Sequence, residues 1–412
     1  MINRRHLLGA TGVGIALAGA SLVSPRLFGS QAQAQALGLP AQLPEGTRQE
    51  AVLDALPGKK PLIKLSYRPP NYETPIEHLR TPITRNDVFF VRYHLSDIPH
   101  VDARSWKLAV GGDGANSEIQ LDLDALKQLP AYEVTAVCQC SGNRRGLFQP
   151  HVPGVEWGYG AMGCARWRGA RLKDILDRVG AKKEAIEVVL DGADGPALEK
   201  TPDFVKSIPV WKAVEDTTLI AYEMNGQPLP HWNGFPARLV LPGWTGTYWM
   251  KHISSINLAV KPFDGFWMKS AYRIPVGMFP IVARFISQET AINTPITEMV
   301  VNSLITSHRD NASVRAGRRT TVAGIAWDGG YGIRSVEVTT DGGKTWAVAT
   351  LGQDLGKYAL RTWTYGLVPK RGKTKVMARA TNTIGQSQTA SLIPNPAGYH
   401  HNVMHAVTLV AA

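Results

Sequence analysis

Tyr132-Glu-Val-Thr-Ala-Val-Cys138-Gln-Cys140-Ser-Gly-Asn143-Arg144-Arg145-Gly146 is the stretch from which the rest of the chain is best read. Tyr132 to Val137 reads as a strand, and it runs straight into two thiols, a glycine turn and two adjacent guanidiniums. A thiolate is a soft metal ligand, favoured as the free anion when cations sit close. Neighbouring arginines offer planar forks of donors that suit an oxyanion. Metal and anion together point to redox chemistry on a small oxoanion. Taken alone, the run fits a buried structural cysteine followed by two surface arginines equally well.

The surrounding composition narrows the choices. A chain of 412 residues with 44% hydrophobic and 19% charged residues is long enough for two or three domains and is globular rather than disordered. The formal charge of +12 favours anionic partners. No dense Lys/Arg run is interleaved with aromatics, so nucleic acid is not an expected partner and small anions are. Asn3-Arg4-Arg5-His6-Leu7-Leu8, the apolar stretch to Val23 and Ala34-Gln-Ala36 read as a twin-arginine export signal over residues 1–36, removed near Ala36, although the lysine that often closes the pattern is missing. The expected location is therefore the periplasm, with no membrane span in the mature chain. Cys138, Cys140 and Cys164 are too few and too awkwardly spaced for a disulfide framework, and fit one functional thiolate beside two core residues. There is no C-x-x-C-H, so no haem is expected in this chain.

Residues 37–85, rich in Pro and charge, read as an extended arm. Residues 86–290 mix short strands (Val88 to His94, Trp106 to Gly111, Ile186 to Leu190, Arg238 to Leu241) with short helices (Leu121 to Leu129, Leu172 to Val179), which is α+β in character. Residues 291–412 lose helical periodicity. Strands such as Thr320 to Trp327, Ile333 to Thr339 and Thr374 to Ala380 alternate with turns at Asp328-Gly-Gly330, Asp341-Gly-Gly-Lys344 and Asn382-Thr-Ile-Gly385, predicting an all-β immunoglobulin-like sandwich.

Four further groups carry candidate chemistry. Arg92 and His94 share a face if their segment is a strand. Asp191-Gly-Ala-Asp194-Gly195 ends a strand with carboxylates able to accept from a heterocycle's N–H groups. Asn233 to Arg238 and Pro242-Gly-Trp-Thr-Gly-Thr-Tyr-Trp249-Met250-Lys251 combine a Gly/Thr-rich loop with two cations, which suits a phosphate without matching a nucleotide P-loop. Phe266-Trp-Met-Lys-Ser-Ala-Tyr272-Arg273 places a polar aromatic tip beside an arginine. Each alone reads as readily as an edge-strand salt bridge, a plain turn or a core cluster.

Together these blocks resemble the sulfite oxidase family of mononuclear molybdenum enzymes, and within it the bacterial sulfite dehydrogenases. The resemblance rests on F-F-V-R-Y-H, C-S-G-N-R-R, G-A-M-G-C-A-R-W-R-G-A-R-L, A-Y-E-M-N-G-Q-P-L-P and G-T-Y-W-M-K, then D-G-G-K-T-W and N-P-A-G-Y, and covers Arg85 to the C-terminus. It implies a molybdenum–molybdopterin cofactor in the first domain and dimerisation through the second. It places Cys140 on the metal-ligating thiolate, with no such role for Cys138 or Cys164. Arg92, Arg145 and Tyr272 fall on substrate positions and Trp157 on an aromatic lining them. His94, Asp194, Asn233, Arg238 and Lys251, with the segments Phe90-Val91-Arg92-Tyr93 and Trp249-Met250, fall on cofactor-contacting positions. The implied reaction oxidises sulfite to sulfate and passes electrons to an external c-type cytochrome, by a homodimer or a heteromer with a cytochrome subunit.

Two departures from the vertebrate pattern stand out. Asn233 replaces a histidine, and no arginine occurs near Pro394-Asn-Pro-Ala-Gly398, where His400 and His401, if protonated, would be the nearest positive charges. The competing expectations are a molybdopterin-dependent reductase of an S-oxide, N-oxide or nitrate, and a cofactor-free immunoglobulin-like binding module.

Overall fold

The computed structural model describes residues 37–412 apart from Ala51 and Ala197. The expected export signal, residues 1–36, lies outside the described residues. Among the described residues no helix is long and apolar enough to cross a membrane.

The arm is a sheet rather than an extended wrap. Val52–Asp54, Leu62–Ser66 and Asn71–Glu73 pair in succession, and Val91–Arg92 forms the fourth strand. Hydrogen bonding thus crosses the expected boundary after residue 85. The strand expected from Val88 to His94 shrinks to Val91–Arg92, because only Asn71 and Tyr72 lie opposite it, and a 3-10 turn occupies Asn86–Val88. The alternation survives this shortening. Phe90, Arg92 and His94 face a cleft, while Val91 and Tyr93 pack with Leu56, Leu62, Tyr72 and Val88.

The next two sheets frame that cleft. One is a mixed five-stranded sheet in the order Lys206–Pro209, Glu187–Gly192, Ile253–Ala259, Lys107–Gly111, Ile119–Asp122, with the Ile253 and Lys107 strands parallel. The other centres on Ala131–Gln139 paired antiparallel with Met162–Arg171, from Ala131 opposite Ala170 to Gln139 opposite Met162. This long register delivers Cys140 to the sheet end. Helices are few and short. Leu172–Val179 buries Leu172, Ile175, Leu176 and Val179 on one stripe and stops at Gly180, whose φ of 67° suits glycine. The helix expected over Leu121–Leu129 is confined to Leu123–Lys127, since Leu121 and Asp122 belong to a strand and Asp122 Oδ1 caps the helix by accepting from the Ala125 N–H at 2.9 Å. The α+β expectation therefore becomes a mostly β domain.

In the second domain Thr320–Trp327 and Ile333–Thr339 form where the alternation places them, and Gly372–Asn382 contains the expected third strand. A four-stranded and a five-stranded sheet contribute to one apolar core, including Val322, Val336, Val338, Trp363, Val376 and Leu409. Gly324 lies opposite Trp363, and a Cβ there would stand 2.5 Å from the indole, so the missing side chain is what seats the ring. Asp328 ties its turn by accepting from the Gly330 and Gly332 N–H groups and from Asn382 Nδ2, each at 3.1 Å.

The two domains are joined through the opening stretch. Gln139 Oε1 accepts from Trp327 Nε1 at 2.7 Å, and Arg144 donates to the Ser303 carbonyl at 2.8 Å while its guanidinium lies over the Tyr159 and Trp327 rings. Arg144, without a role from sequence, is a buried bolt between the domains.

Candidate active site

A cleft opens beside the end of the Ala131–Gln139 strand. Its wall includes Phe90, Arg92, His94, Cys140, Asp194, Asn233, Arg238, Trp249, Met250, Lys251 and Tyr272, which lie apart in sequence and were each singled out there. Phe89, Cys138, Ser141, Phe204, Trp232, Gly246 and Thr247 complete it.

The thiol is placed by a tight turn. The Cys140 N–H donates to Ala161 O, and its carbonyl accepts from the Asn143 N–H, both at 2.9 Å. Ser141 Oγ donates to Thr245 Oγ1 at 3.0 Å, tying this turn to the Gly/Thr loop. Arg144 adopts a left-handed φ of 69°, which reverses the chain and sends the two adjacent guanidiniums to opposite sides. Cys138, two residues before Cys140, shares its face and also reaches the cleft. Burial pushes the Cys138 thiol up to about 11 and Cys164 to about 12, so both remain thiols, and all three cysteines are free.

Cations ring the inner end. Arg238 donates to Asn233 O and Trp249 O, both at 2.9 Å, between the Trp167 and Trp249 rings. Lys251 Nζ donates to Arg92 O at 2.9 Å, and burial brings it down to about 8 despite Asp194. Asp194 is raised by burial, with Lys251 opposing. The Thr247 hydroxyl is buried on this wall and has no partner among the described residues.

At the other end Tyr272, at a left-handed φ of 59°, hydrogen-bonds to His94 Nε2. A bulky residue in that backbone region is strained and is held there by its surroundings. His94 stacks on Phe204 with ring centroids 3.5 Å apart. Burial, then Arg92, Lys251 and Lys206, hold His94 well below the ordinary histidine range, so it is neutral. Burial raises the Tyr272 phenol, opposed mainly by Arg92.

Four expected site residues sit elsewhere. Val91 and Tyr93 are core side chains and are not part of the cleft wall. Trp157 is fully buried in the main core, off the cleft wall. Arg145 is not among the residues of the cleft wall; its Nε donates to Ala397 O at 3.0 Å and its guanidinium lies over Tyr399. Tyr399 in turn stacks on Tyr272 with ring centroids 5.6 Å apart and an interplanar angle of 8°. The condition under which His400 and His401 would supply positive charge, protonation, is not met near neutral pH, because burial lowers both to about 3.

Sequence reading missed Tyr399 and Lys206. Tyr399 lay inside the quoted N-P-A-G-Y block without a role. Lys206 is fully buried, its Nζ donating to Trp267 O at 2.6 Å and lying over the Tyr248 and Tyr272 rings, and nothing in its local sequence marks it. Thr247 was legible as part of the Gly/Thr loop.

The residues fit a molybdopterin group: a cleft thiol, cations held by protein carbonyls, a partnerless buried hydroxyl and a carboxylate facing one space. Comparison with known proteins agrees. Residues 94–267 match the oxidoreductase molybdopterin binding domain, and residues 293–411 the Mo-co oxidoreductase dimerisation domain. Mitochondrial sulfite oxidase of Homo sapiens is 37% identical over 72% of this chain and 54% of its own length, so the chain spans about half of that relative. Sulfite oxidase of Arabidopsis thaliana is 31% identical over 88% of this chain and 98% of its own. The sulfane dehydrogenase SoxCD of Paracoccus pantotrophus shares the fold, with a TM-score of 0.71 at 24% identity over 83% of this chain and 84% of that one. On these matches and this cleft, the chain belongs to the sulfite oxidase family of molybdenum–molybdopterin enzymes.

Proposed function

We propose that this chain oxidises sulfite to sulfate and passes the electrons to an external c-type cytochrome, acting in the periplasm as a homodimer or as a heteromer with a cytochrome subunit. The observation that carries the reading is the convergence of Cys140, Arg92 and the neutral His94–Tyr272 pair on one cleft, with Arg145 behind Tyr399.

The bound cofactor supplies two-electron oxygen-atom transfer. Cys140 would hold the metal, Arg238, Lys251, Asn233 and Thr247 the phosphate, and Asp194 the heterocycle's N–H groups. The chain's own residues set the conditions for turnover. Sulfite is close to a dianion at neutral pH, and Arg92 attracts and orients it while Arg145 adds positive potential from behind. Tyr272 offers its hydroxyl to a substrate oxygen. Oxidation of sulfite with water releases two protons and two electrons, and the Tyr272–His94 hydrogen bond provides a place to pass a proton. Phe89, Phe90, Phe204 and Trp249 line the walls with aromatic surface that excludes water.

Steady-state kinetics with sulfite and ferricyanide or cytochrome c test this. Rapid sulfite-dependent reduction supports it, whereas turnover only with reduced viologen and a sulfoxide, N-oxide or nitrate would reverse the direction. The absence of molybdenum and of pterin fluorescence after denaturation would leave a cofactor-free binding module. For export, replacing Arg4 and Arg5 by lysine should keep the protein in the cytoplasm on fractionation.

A further inference from the structure

One side chain of the arm reaches a residue of the cleft wall. Lys59 follows the Pro57-Gly58 turn between the first two strands and is buried. Its ammonium donates to Asn86 O at 2.6 Å, Phe89 O at 3.0 Å and Asn233 Oδ1 at 2.6 Å. Three acceptors around one nitrogen call for three N–H donors, which only the ammonium has. Burial draws Lys59 down to about 7, and the Asp87 carboxylate pulls it back up.

The consequence falls on Asn233. An ammonium cannot accept, so the amide atom facing Lys59 is the oxygen, and the NH₂ group is turned the other way. One of its hydrogens goes to Phe90 O at 3.2 Å. Asn233 itself lines the cleft, and its backbone carbonyl accepts from Arg238. The second N–H is therefore a fixed donor on the wall that also carries Arg238, Lys251 and the partnerless Thr247 hydroxyl. That wall suits an anion, and without Lys59 only the bond to Phe90 O would keep the amide from turning its oxygen toward that anion.

We propose that Lys59 is a positioning residue for the cofactor's phosphate, locking Asn233 so that its NH₂ group, not its oxygen, faces the cleft. The arm, which lies before the matched molybdopterin-binding segment 94–267, is then part of the cofactor site. This rests on the reading that the chain holds molybdopterin.

The test is a double-mutant cycle read as the rate of pterin and molybdenum loss from purified protein on dialysis, by pterin fluorescence and metal analysis. Lys59→Met should speed that loss by about tenfold in the native background, the scale seen when an outer partner of a bound group is removed. In an Asn233→Ala background the same change should add almost nothing, because the amide through which Lys59 acts is gone. An equal increase in both backgrounds would show Lys59 to be a structural pin of the arm and overturn the proposal, as would unchanged retention in Lys59→Met. If Lys59→Met does not fold, Lys59→Gln, whose amide can accept as well as donate and so no longer dictates which way Asn233 faces, takes its place in the cycle and is judged by the same two outcomes. Wild-type protein purified without pterin or molybdenum would instead remove the cofactor reading on which the inference stands.

Discussion

The cleft and the core of the second domain solve opposite problems with the same kind of strand. In the second domain, side chains from two sheets meet as an apolar layer around Trp363, and Gly324 makes room for the indole. In the cleft, strand ends and loops from distant segments bring together buried cations, a thiol, a strained tyrosine and a neutral histidine. The core gains stability from burial that is local and periodic. The cleft gives up stability by burying charge and strain, and the surrounding fold supports it, as expected of a site arranged for a bound group and an anion. Arg144 and Arg145 show the division in two adjacent residues: one pins the domains, the other lies over Tyr399, which stacks on Tyr272 of the cleft wall.

That contrast can be broken at several points. Cys140→Ser should abolish sulfite oxidation while far-UV circular dichroism and oligomeric state persist; activity retained in this variant would remove Cys140 from the site. Trp363→Ala should cost about 3–5 kcal/mol in urea unfolding, with the KM for sulfite in the still-folded protein unchanged. A comparable rise in KM would mean the core and the cleft are not separable. Arg144→Met, which loses a charged donor to Ser303 O and two aromatic contacts, should cost about 2–3 kcal/mol and lower kcat less than stability. Arg92→Gln should raise the KM for sulfite by about tenfold, near 1.4 kcal/mol, with little change in unfolding midpoint. Arg48→Gln in the arm is the control, and an equal effect there would argue against a substrate pocket around Arg92. The smallest effect is expected for Tyr399→Phe, which keeps the stack on Tyr272 and should change kcat/KM by no more than about twofold. A larger loss would give the Tyr399 hydroxyl a direct part in turnover.

Much of this was legible in one dimension. Alternation and Asp-Gly turns predicted the strands Thr320–Trp327 and Ile333–Thr339, because a half-buried strand writes its period into neighbouring residues. The helix Leu172–Val179 was legible for the same reason, from its apolar spacing and Gly180. The spacing of Arg92 and His94 correctly put both on one face even though the strand is two residues long. The arm misled because a strand that pairs only with short neighbours leaves too few residues for a period to show.

What depends on contacts between distant segments was out of reach. Cys140 is the exception, since its place on the cleft follows from its own turn and its motif stands in the sequence, although Cys138 lines the cleft as well. The parting of Arg144 from Arg145 depends on a left-handed residue and on Ser303 and Ala397, more than 150 positions away. The neutrality of His400 and His401 follows from burial, which no local pattern records. Lys59 and Lys206 acquire meaning only from Asn233 and Tyr272, each contributed by another part of the chain. The sequence by itself determined the periodic elements and the reactive residue types, since these are properties of neighbours. Only the tertiary structure decided which charges are desolvated and what they face, because desolvation and Coulomb energy depend on distance in space.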